Sequence, residues 1–148
     1  MNLSQKILTI IIIFVVWINF LSCTTDKTEE NKQSENYTGN AKIEFLDTIH
    51  DFGILKENEI VEYTFKYTNT GTAPLKIKNI ETDCGCTIPK YDKKSVLPGE
   101  KARIKVTFDS QGFRNNIYKT ITVKSNAETS KIKLILTAYI KNNKSLDY

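Results

Sequence analysis

The amino-acid sequence predicts an all-β domain, an immunoglobulin-like antiparallel β-sandwich of about seven strands, which follows a signal peptide and a flexible linker. Three observations support this fold class. Apolar and polar residues alternate in several segments after residue 42, turn-rich clusters separate these segments, and no segment after residue 40 has a helical period. Alternation with a period of two is typical of strands that bury one face.

The first 22 residues are predicted to be a lipoprotein signal peptide. Lys6 and the amino terminus carry positive charge, and an apolar run from Ile7 to Phe20 follows. A helix needs about 20 apolar residues to cross a bilayer, so a run of about 14 is short for a membrane span. A run of this length fits the apolar core of a secretory signal.

Cys23 is the candidate lipid anchor. It follows Ser22 at the end of the apolar run, a position that resembles the bacterial lipobox, in which the cysteine thiol receives a diacylglycerol. Phe20 stands where that pattern usually has a small aliphatic residue, and simple secretion and an uncleaved anchor are the alternatives. Several acyl chains hold a protein at a membrane, because each buried methylene contributes about 0.8 kcal/mol.

Residues 24–40 are predicted to form a disordered tether. They include one aromatic and no aliphatic side chain, so they cannot bury enough apolar surface to offset the entropy of ordering. The formal charge of the chain is +4 and residues 1–40 carry −1, which leaves +5 for residues 41–148. The sequence therefore divides into a signal peptide (1–22), a lipidated cysteine with its tether (23–40), a β-sandwich (41–142) and a C-terminal tail (143–148).

The strands of the sandwich are predicted from the alternation itself. In residues 60–69, apolar side chains from Val61 to Tyr67 alternate with polar ones, and residues 102–109 and 131–140 repeat the pattern. The predicted bounds, in chain order, are 43–47, 51–54, 60–69, 75–81, 102–109, 117–124 and 131–140.

Turn-forming residues separate several of these strands. Four clusters are rich in Gly, Pro, Asn and Ser: "NTGTAP" (69–74), "LPGE" (97–100), "SQGFRNN" (110–116) and "SNAETS" (125–130). Pro98 and Gly99 fit the central positions of a type II turn, whose second central residue needs a positive φ.

Several short motifs carry a family resemblance. They are D-F-G (51–53), F-x-x-x-N-T-G (65–71), P-L-x-I (74–77), C-G-C-T (84–87), P-G-E (98–100) and the final "VKSNA" (123–127). Together they resemble the bacterial domain of unknown function 1573 family over roughly residues 43–140. The resemblance implies an immunoglobulin-like fold, akin to the domains of pilus chaperones and ciliary proteins, and export, often as a lipoprotein. It implies no established activity.

The sequence contains three cysteines. If Cys23 is lipidated, Cys84 and Cys86 are therefore the only two that can pair in the mature chain. One hypothesis is a disulfide, which an oxidising compartment favours and which Gly85 permits by letting the chain bend. A loop this small contributes only about 1.6 kcal/mol in the chain-entropy model. A disulfide here would therefore be a weak structural link.

Three other hypotheses for Cys84 and Cys86 stay open. Two thiolates suit a soft ion such as Cu(I), and Asp83 and His50 are the additional ligands on hand, which leaves the pair a weak metal candidate. Thiol exchange with a partner is the second hypothesis. The third is two half-buried residues without chemistry. No cofactor is expected.

Catalysis is not expected. His50 is the only histidine and lies next to Asp51, but adjacent residues of a strand point to opposite faces and cannot form a dyad. Gly53 is predicted to allow a β-bulge or close packing there. No Ser-His-Asp set, phosphate-binding glycine loop or carboxylate pair stands out, so the sequence predicts a protein that is not an enzyme.

Exposed charges are interpreted as a solvated face or as protection of sheet edges. They include lysines 76, 78, 105, 131 and 133. A nucleic-acid partner is not expected, because such a surface needs exposed aromatic residues and a stronger charge. Phe113 with Arg114 on the 110–116 loop is the candidate contact patch.

Together these observations predict a cell-envelope lipoprotein, anchored to the membrane through Cys23 and facing the periplasm or the exterior. Its sandwich would bind or scaffold a protein or an envelope polymer, since sandwich edges and end loops are natural binding elements. The alternative is a thiol-redox or copper-handling protein that acts through Cys84 and Cys86.

Overall fold

Eight β-strands form the fold in the computed structural model, which describes residues 37–141. In chain order they are β1 (Ile43–Phe45), β2 (Ile49–Lys56), β3 (Ile60–Asn69), β4 (Ile77–Thr82), β5 (Thr87–Tyr91), β6 (Lys101–Asp109), β7 (Asn115–Ser125) and β8 (Lys131–Lys141). Residues 37–141 contain no helix, and hence no helix long and apolar enough to cross a membrane. The predicted signal peptide, Cys23, most of the tether and the tail lie outside the described residues.

The strands form two four-stranded sheets. Sheet 1 has the order β1-β3-β6-β5 and sheet 2 the order β2-β8-β7-β4. This arrangement confirms the predicted sandwich and the all-β class. The predicted bounds agree best for the long strands, because β3 spans the predicted 60–69 and β8 ends one residue beyond the predicted 131–140.

One pair of strands in this otherwise antiparallel sandwich is parallel. β2 pairs in parallel with β8, for example Ile49 with Ile135. The chain leaves sheet 1 after β1 and joins sheet 2 at β2. There it runs in the same direction as β8. The pairing is interrupted between Asp51 and Ile54, where Gly53 has a φ of 69°. This confirms the predicted bulge at Gly53, whereas a side chain there would meet no atom within 4 Å, so close packing is not the reason for the glycine.

The core lies between the two sheets and follows the predicted alternation. Sheet 1 contributes Phe65, Ile104, Val106 and Phe108, all at 0% exposure. Sheet 2 contributes residues of β7 and β8 that are at most 2% exposed: Ile121, Val123, Leu134, Leu136 and Ile140. Burial of this apolar surface, at about 25 cal/mol per Å², is the main stabilising contribution to the fold.

β5 was not predicted. It contains Pro89, which lacks the amide hydrogen that a central strand must donate. The structure places β5 at the edge of sheet 1, antiparallel to β6, with Pro89 opposite Val106. An edge strand has one unpaired side, so it accommodates a proline there.

The turn at Leu97–Glu100 has the predicted geometry. Gly99 has a φ of 80°, and the Glu100 amide donates a hydrogen bond of 3.0 Å to the Leu97 carbonyl. The Glu100 carboxylate also accepts a bond of 2.8 Å from the Leu97 amide. The type II turn predicted from Pro98 and Gly99 is therefore present.

Candidate functional site

The cysteine pair lies where the chain passes from sheet 2 to sheet 1. Cys84 and Cys86 occupy the turn between β4 and β5, with their Cα atoms 5.2 Å apart and their sulfur atoms joined in a disulfide. Gly85 between them does not have a positive φ, so the turn does not depend on the conformational freedom of glycine.

Hydrogen bonds fix this turn to both sheets. The Asp109 amide of β6 donates to the Cys86 carbonyl at 2.9 Å. In sheet 2, the Thr120 amide donates to the Asp83 carboxylate at 3.0 Å, and the Asp83 amide donates back to the Thr120 carbonyl at 3.3 Å. Both cysteines are half-buried. The surroundings favour a structural role over thiol exchange or copper handling.

No third metal-binding side chain joins the cysteines. Within residues 37–141, no group of three or more His, Cys, Asp or Glu side chains is close enough together to hold a metal ion. Asp83 is one of the two additional ligands considered from the sequence, and its carboxylate accepts a hydrogen bond from the Thr120 amide.

His50, the other ligand considered from the sequence, stacks on one aromatic ring and meets a second edge-on. Its ring lies 3.5 Å from that of Tyr63 at an angle of 8°, and 4.6 Å from that of Phe52 at 90°. Burial lowers the pKa of His50, and the nearby Asp47 and Asp51 carboxylates partly oppose that shift. The Asp51 carboxylate accepts a bond from the Gly53 amide at 3.0 Å. His50 and Asp51 therefore serve separate structural contacts.

The outer surface of sheet 1 carries a cluster of cations, which we call the basic face. It comprises Lys66 of β3, Lys90 of β5 and three residues of β6: Lys101, Arg103 and Lys105. The strand register places Lys66 directly opposite Arg103 and Lys90 directly opposite Lys105. Like charges in directly opposite positions repel, so these two pairs destabilise the sheet.

Within residues 37–141, one of the five cations of the basic face forms an ion pair. Lys105 pairs with the Glu62 carboxylate at 2.7 Å, and its hydrogen bond, followed by that of Thr107, lowers the pKa of Glu62. The one other ion pair among residues 37–141 joins Lys124 and Glu81 on sheet 2. Lys66, Lys90, Lys101 and Arg103 form no ion pair among these residues, although the charge of Lys90 also helps to lower the pKa of Glu62.

The five cations line an open groove of about 1190 Å³. Phe45, Tyr67 and Tyr91 line it as well, and so does Leu46, whose side chain is 79% exposed. Burial raises the pKa of Tyr67 to about 12, with smaller contributions from Asp92 and Tyr91. Glu44 and Asp92 line the groove too, so it combines a surplus of positive charge with aromatic and aliphatic surface.

From the sequence, Lys105 of this cluster is expected to be exposed, and the other four cations are not distinguished. Alternation assigned Lys66 and Arg103 to the polar faces of their strands, but it could not indicate which strands are neighbours. The lysines that were named, at 76, 78, 105, 131 and 133, are all exposed as expected. In the predicted contact patch, Arg114 is exposed, whereas Phe113 is half-buried against Phe108 at 5.8 Å with the Lys119 ammonium 4.1 Å from its ring.

A family model described as "Protein of unknown function (DUF1573)" matches residues 43–140. The chain belongs to the DUF1573 family. This confirms the resemblance carried by the short motifs. A search of curated protein sequences found no match to the chain.

Solved structures of low sequence identity share the fold of this DUF1573 protein. A protein of unknown function from Porphyromonas gingivalis is 19% identical with a TM-score of 0.62, and the match covers 74% of this chain and 51% of that one. A PapD-like domain of human CEP192 is 11% identical with a TM-score of 0.57 and coverages of 70% and 87%. The secreted serine protease VesC from Vibrio cholerae is 11% identical with a TM-score of 0.54 and coverages of 67% and 23%. The chain thus spans about half of the Porphyromonas protein, and these likenesses concern the fold alone.

Proposed function

We propose that this DUF1573 protein is a lipid-anchored protein of the cell envelope, whose non-catalytic β-sandwich binds or scaffolds a protein or a surface polymer. The observation that carries the proposal is Cys23, which directly follows an apolar run of signal-peptide length and a small residue. Attachment of several acyl chains at Cys23 gives stable membrane association. Residues 24–40 then link the anchor to the sandwich.

The non-catalytic role is supported by what the polar side chains do. His50 stacks on Tyr63 and meets Phe52 edge-on, and the Asp51 carboxylate accepts the Gly53 amide at the bulge. The cysteines are joined in a disulfide within a turn that both sheets hold in place. VesC is described as a protease, but the match covers only 23% of that chain.

Metabolic labelling with radioactive palmitate tests the anchor. We expect the full-length protein to incorporate label and to fractionate with membranes, and Cys23→Ser to abolish the incorporation. Cys84→Ser with Cys86→Ser is the matched control, because it removes thiols elsewhere and should leave the label unchanged. Label that persists in Cys23→Ser, or unlabelled wild-type protein in the cytosolic fraction, would refute the proposal.

A further inference from the structure

We infer that the basic face binds an acidic polysaccharide, a glycan chain that carries carboxylate groups along its length. This inference deepens the proposed function by naming the class of partner. It rests on that function only for the location, the cell envelope, in which the protein meets the glycan. Its starting point is the repulsion built into sheet 1, where Lys66 faces Arg103 and Lys90 faces Lys105. Each such pair costs stability, and a bound polyanion offsets that cost.

The arrangement of the charges fits a polymer better than a small anion. Alternate residues of a strand are about 7 Å apart and neighbouring strands about 5 Å apart. Lys101, Arg103 and Lys105 therefore extend over about 13 Å of β6, with Lys66 and Lys90 on the strands to either side. A single small anion covers only part of this area. A chain with repeated carboxylates reaches all of them.

The lining of the groove favours a glycan over other polyanions. Nucleic-acid bases stack on exposed aromatic faces, but Tyr67 is 3% exposed and Phe45 and Tyr91 are half-buried. A bilayer is flat and is entered by exposed apolar side chains, whereas this surface is a groove in which Leu46 is the one exposed large apolar residue. A sugar chain fits a groove, places its carboxylates on the cations and rests its C–H groups on Leu46 and the exposed parts of Phe45 and Tyr91.

The test is a binding titration of the full-length protein in detergent with a defined oligogalacturonate. A neutral maltooligosaccharide of equal length, a single-stranded DNA oligonucleotide, and vesicles with and without phosphatidylglycerol serve as the other probes. We expect the oligogalacturonate to bind at least about tenfold more tightly than any other probe, a difference of about 1.4 kcal/mol. Binding should weaken as salt is raised, because exposed charges are screened.

Charge-reversal variants locate the site. Lys66→Glu with Lys90→Glu should weaken oligogalacturonate binding at least about tenfold. The control is Lys78→Glu with Lys133→Glu, which makes the same charge change at exposed positions of sheet 2 and should keep affinity within about twofold of wild type. The melting temperature adds an independent readout. It should rise by about 2 °C or more in the first variant, because each new carboxylate lies opposite a cation and repulsion is removed.

Several results would overturn the inference. Equal losses in both variants would mean that overall positive charge, not the basic face, attracts the glycan. Equally tight binding of DNA or of phosphatidylglycerol vesicles would assign the face to another polyanion, and no binding of oligogalacturonate would remove the inference outright. The palmitate experiment is independent. An unlabelled protein that still binds the glycan would refute the proposed function alone, whereas a labelled protein that binds none would refute only the inference drawn here.

Discussion

Asn69 is 0% exposed and connects three segments of the chain: its own turn, the segment at Lys42 and the segment at Val96. Its side-chain amide donates hydrogen bonds of 2.9 Å to the carbonyls of Ala73 and Val96. Its carbonyl oxygen accepts from the amides of Gly71 at 3.0 Å and Lys42 at 3.4 Å. A buried amide with all of its hydrogen-bonding capacity satisfied fixes a unique arrangement of the turn, which explains the asparagine of the N-T-G motif.

Gly71 is required in this turn for a steric reason. A Cβ atom there would lie 2.3 Å from the Asn40 carbonyl oxygen and 2.4 Å from the Lys42 nitrogen. Both are backbone atoms, so neither can move away as a flexible side chain could. We expect Gly71→Ala to lower the free energy of unfolding by at least about 2 kcal/mol, measured by urea titration.

Gly85→Ala is the matched control for Gly71→Ala. An added Cβ at Gly85 meets no atom within 4 Å, and its φ is not positive. We expect the free energy of unfolding to stay the same or to rise by up to about 1 kcal/mol, because alanine reduces the entropy of the unfolded chain. Equal losses in the two variants would show that the clash at Gly71 is not the cause.

His50 makes stability depend on pH in a specific direction. Its pKa in the folded protein is lowered from the ordinary value of 6.5, chiefly by burial. The unfolded chain therefore takes up a proton first as the pH falls, and the His50 contribution is present above pH 6.5 and lost below it. We expect the wild type to lose more stability between neutral and mildly acidic pH than His50→Phe, which retains an aromatic ring but cannot titrate. Chemical unfolding at several pH values measures the difference, and parallel pH profiles would contradict the assignment.

At the scale of the elements, the turn between β4 and β5 combines a small disulfide with backbone hydrogen bonds to both sheets. The bonds from Asp109 to Cys86 and between Asp83 and Thr120 do not involve the sulfur atoms. The chain-entropy model gives a loop of this size about 1.6 kcal/mol. We expect Cys84→Ser with Cys86→Ser to fold and to lose no more than about 2 kcal/mol in urea titration. Failure of the double variant to fold would show that the hydrogen bonds alone do not hold the turn.

Prediction from the sequence succeeded for central strands and failed for an edge strand. Alternation located β3, β6 and β8 because each buries one face along its whole length. It missed β5, where Pro89 interrupts a segment of five residues. β5 is a short edge strand that is recognised only by its pairing with β6. The sequence does not show which strand lies beside it.

At the scale of the whole molecule, each sheet edge carries a feature that discourages pairing with another chain. β1 has three residues, β5 contains Pro89, β2 is interrupted by a bulge at Gly53, and β4 carries the exposed Lys78. Natural β-proteins use short edges, prolines, bulges and lysines in this way. The exposed Ile54 and Tyr139, at 74% and 45%, lie beside the bulge.

The two sheets share one core, so they are expected to lose stability together. Leu136 of β8 is fully buried, and Leu136→Ala should cost about 2–5 kcal/mol. Hydrogen exchange should then accelerate by a similar factor for the slowest amides of β6 in sheet 1 and of β7 in sheet 2. Tyr118→Ala, at a side chain that is 61% exposed, is the control and should change stability by less than about 0.5 kcal/mol. Acceleration confined to sheet 2 would show that the sheets unfold separately.

By itself, the sequence determined the fold class, most strands, the buried side of each of them and the turn at Gly99. These features follow from the order of neighbouring residues, since alternation and turn conformation are local properties of the chain. Only the tertiary structure decided that β2 runs parallel to β8 and that Lys66 faces Arg103. Both depend on which distant segments lie side by side, and that choice is made by the packing of the two sheets around a common core.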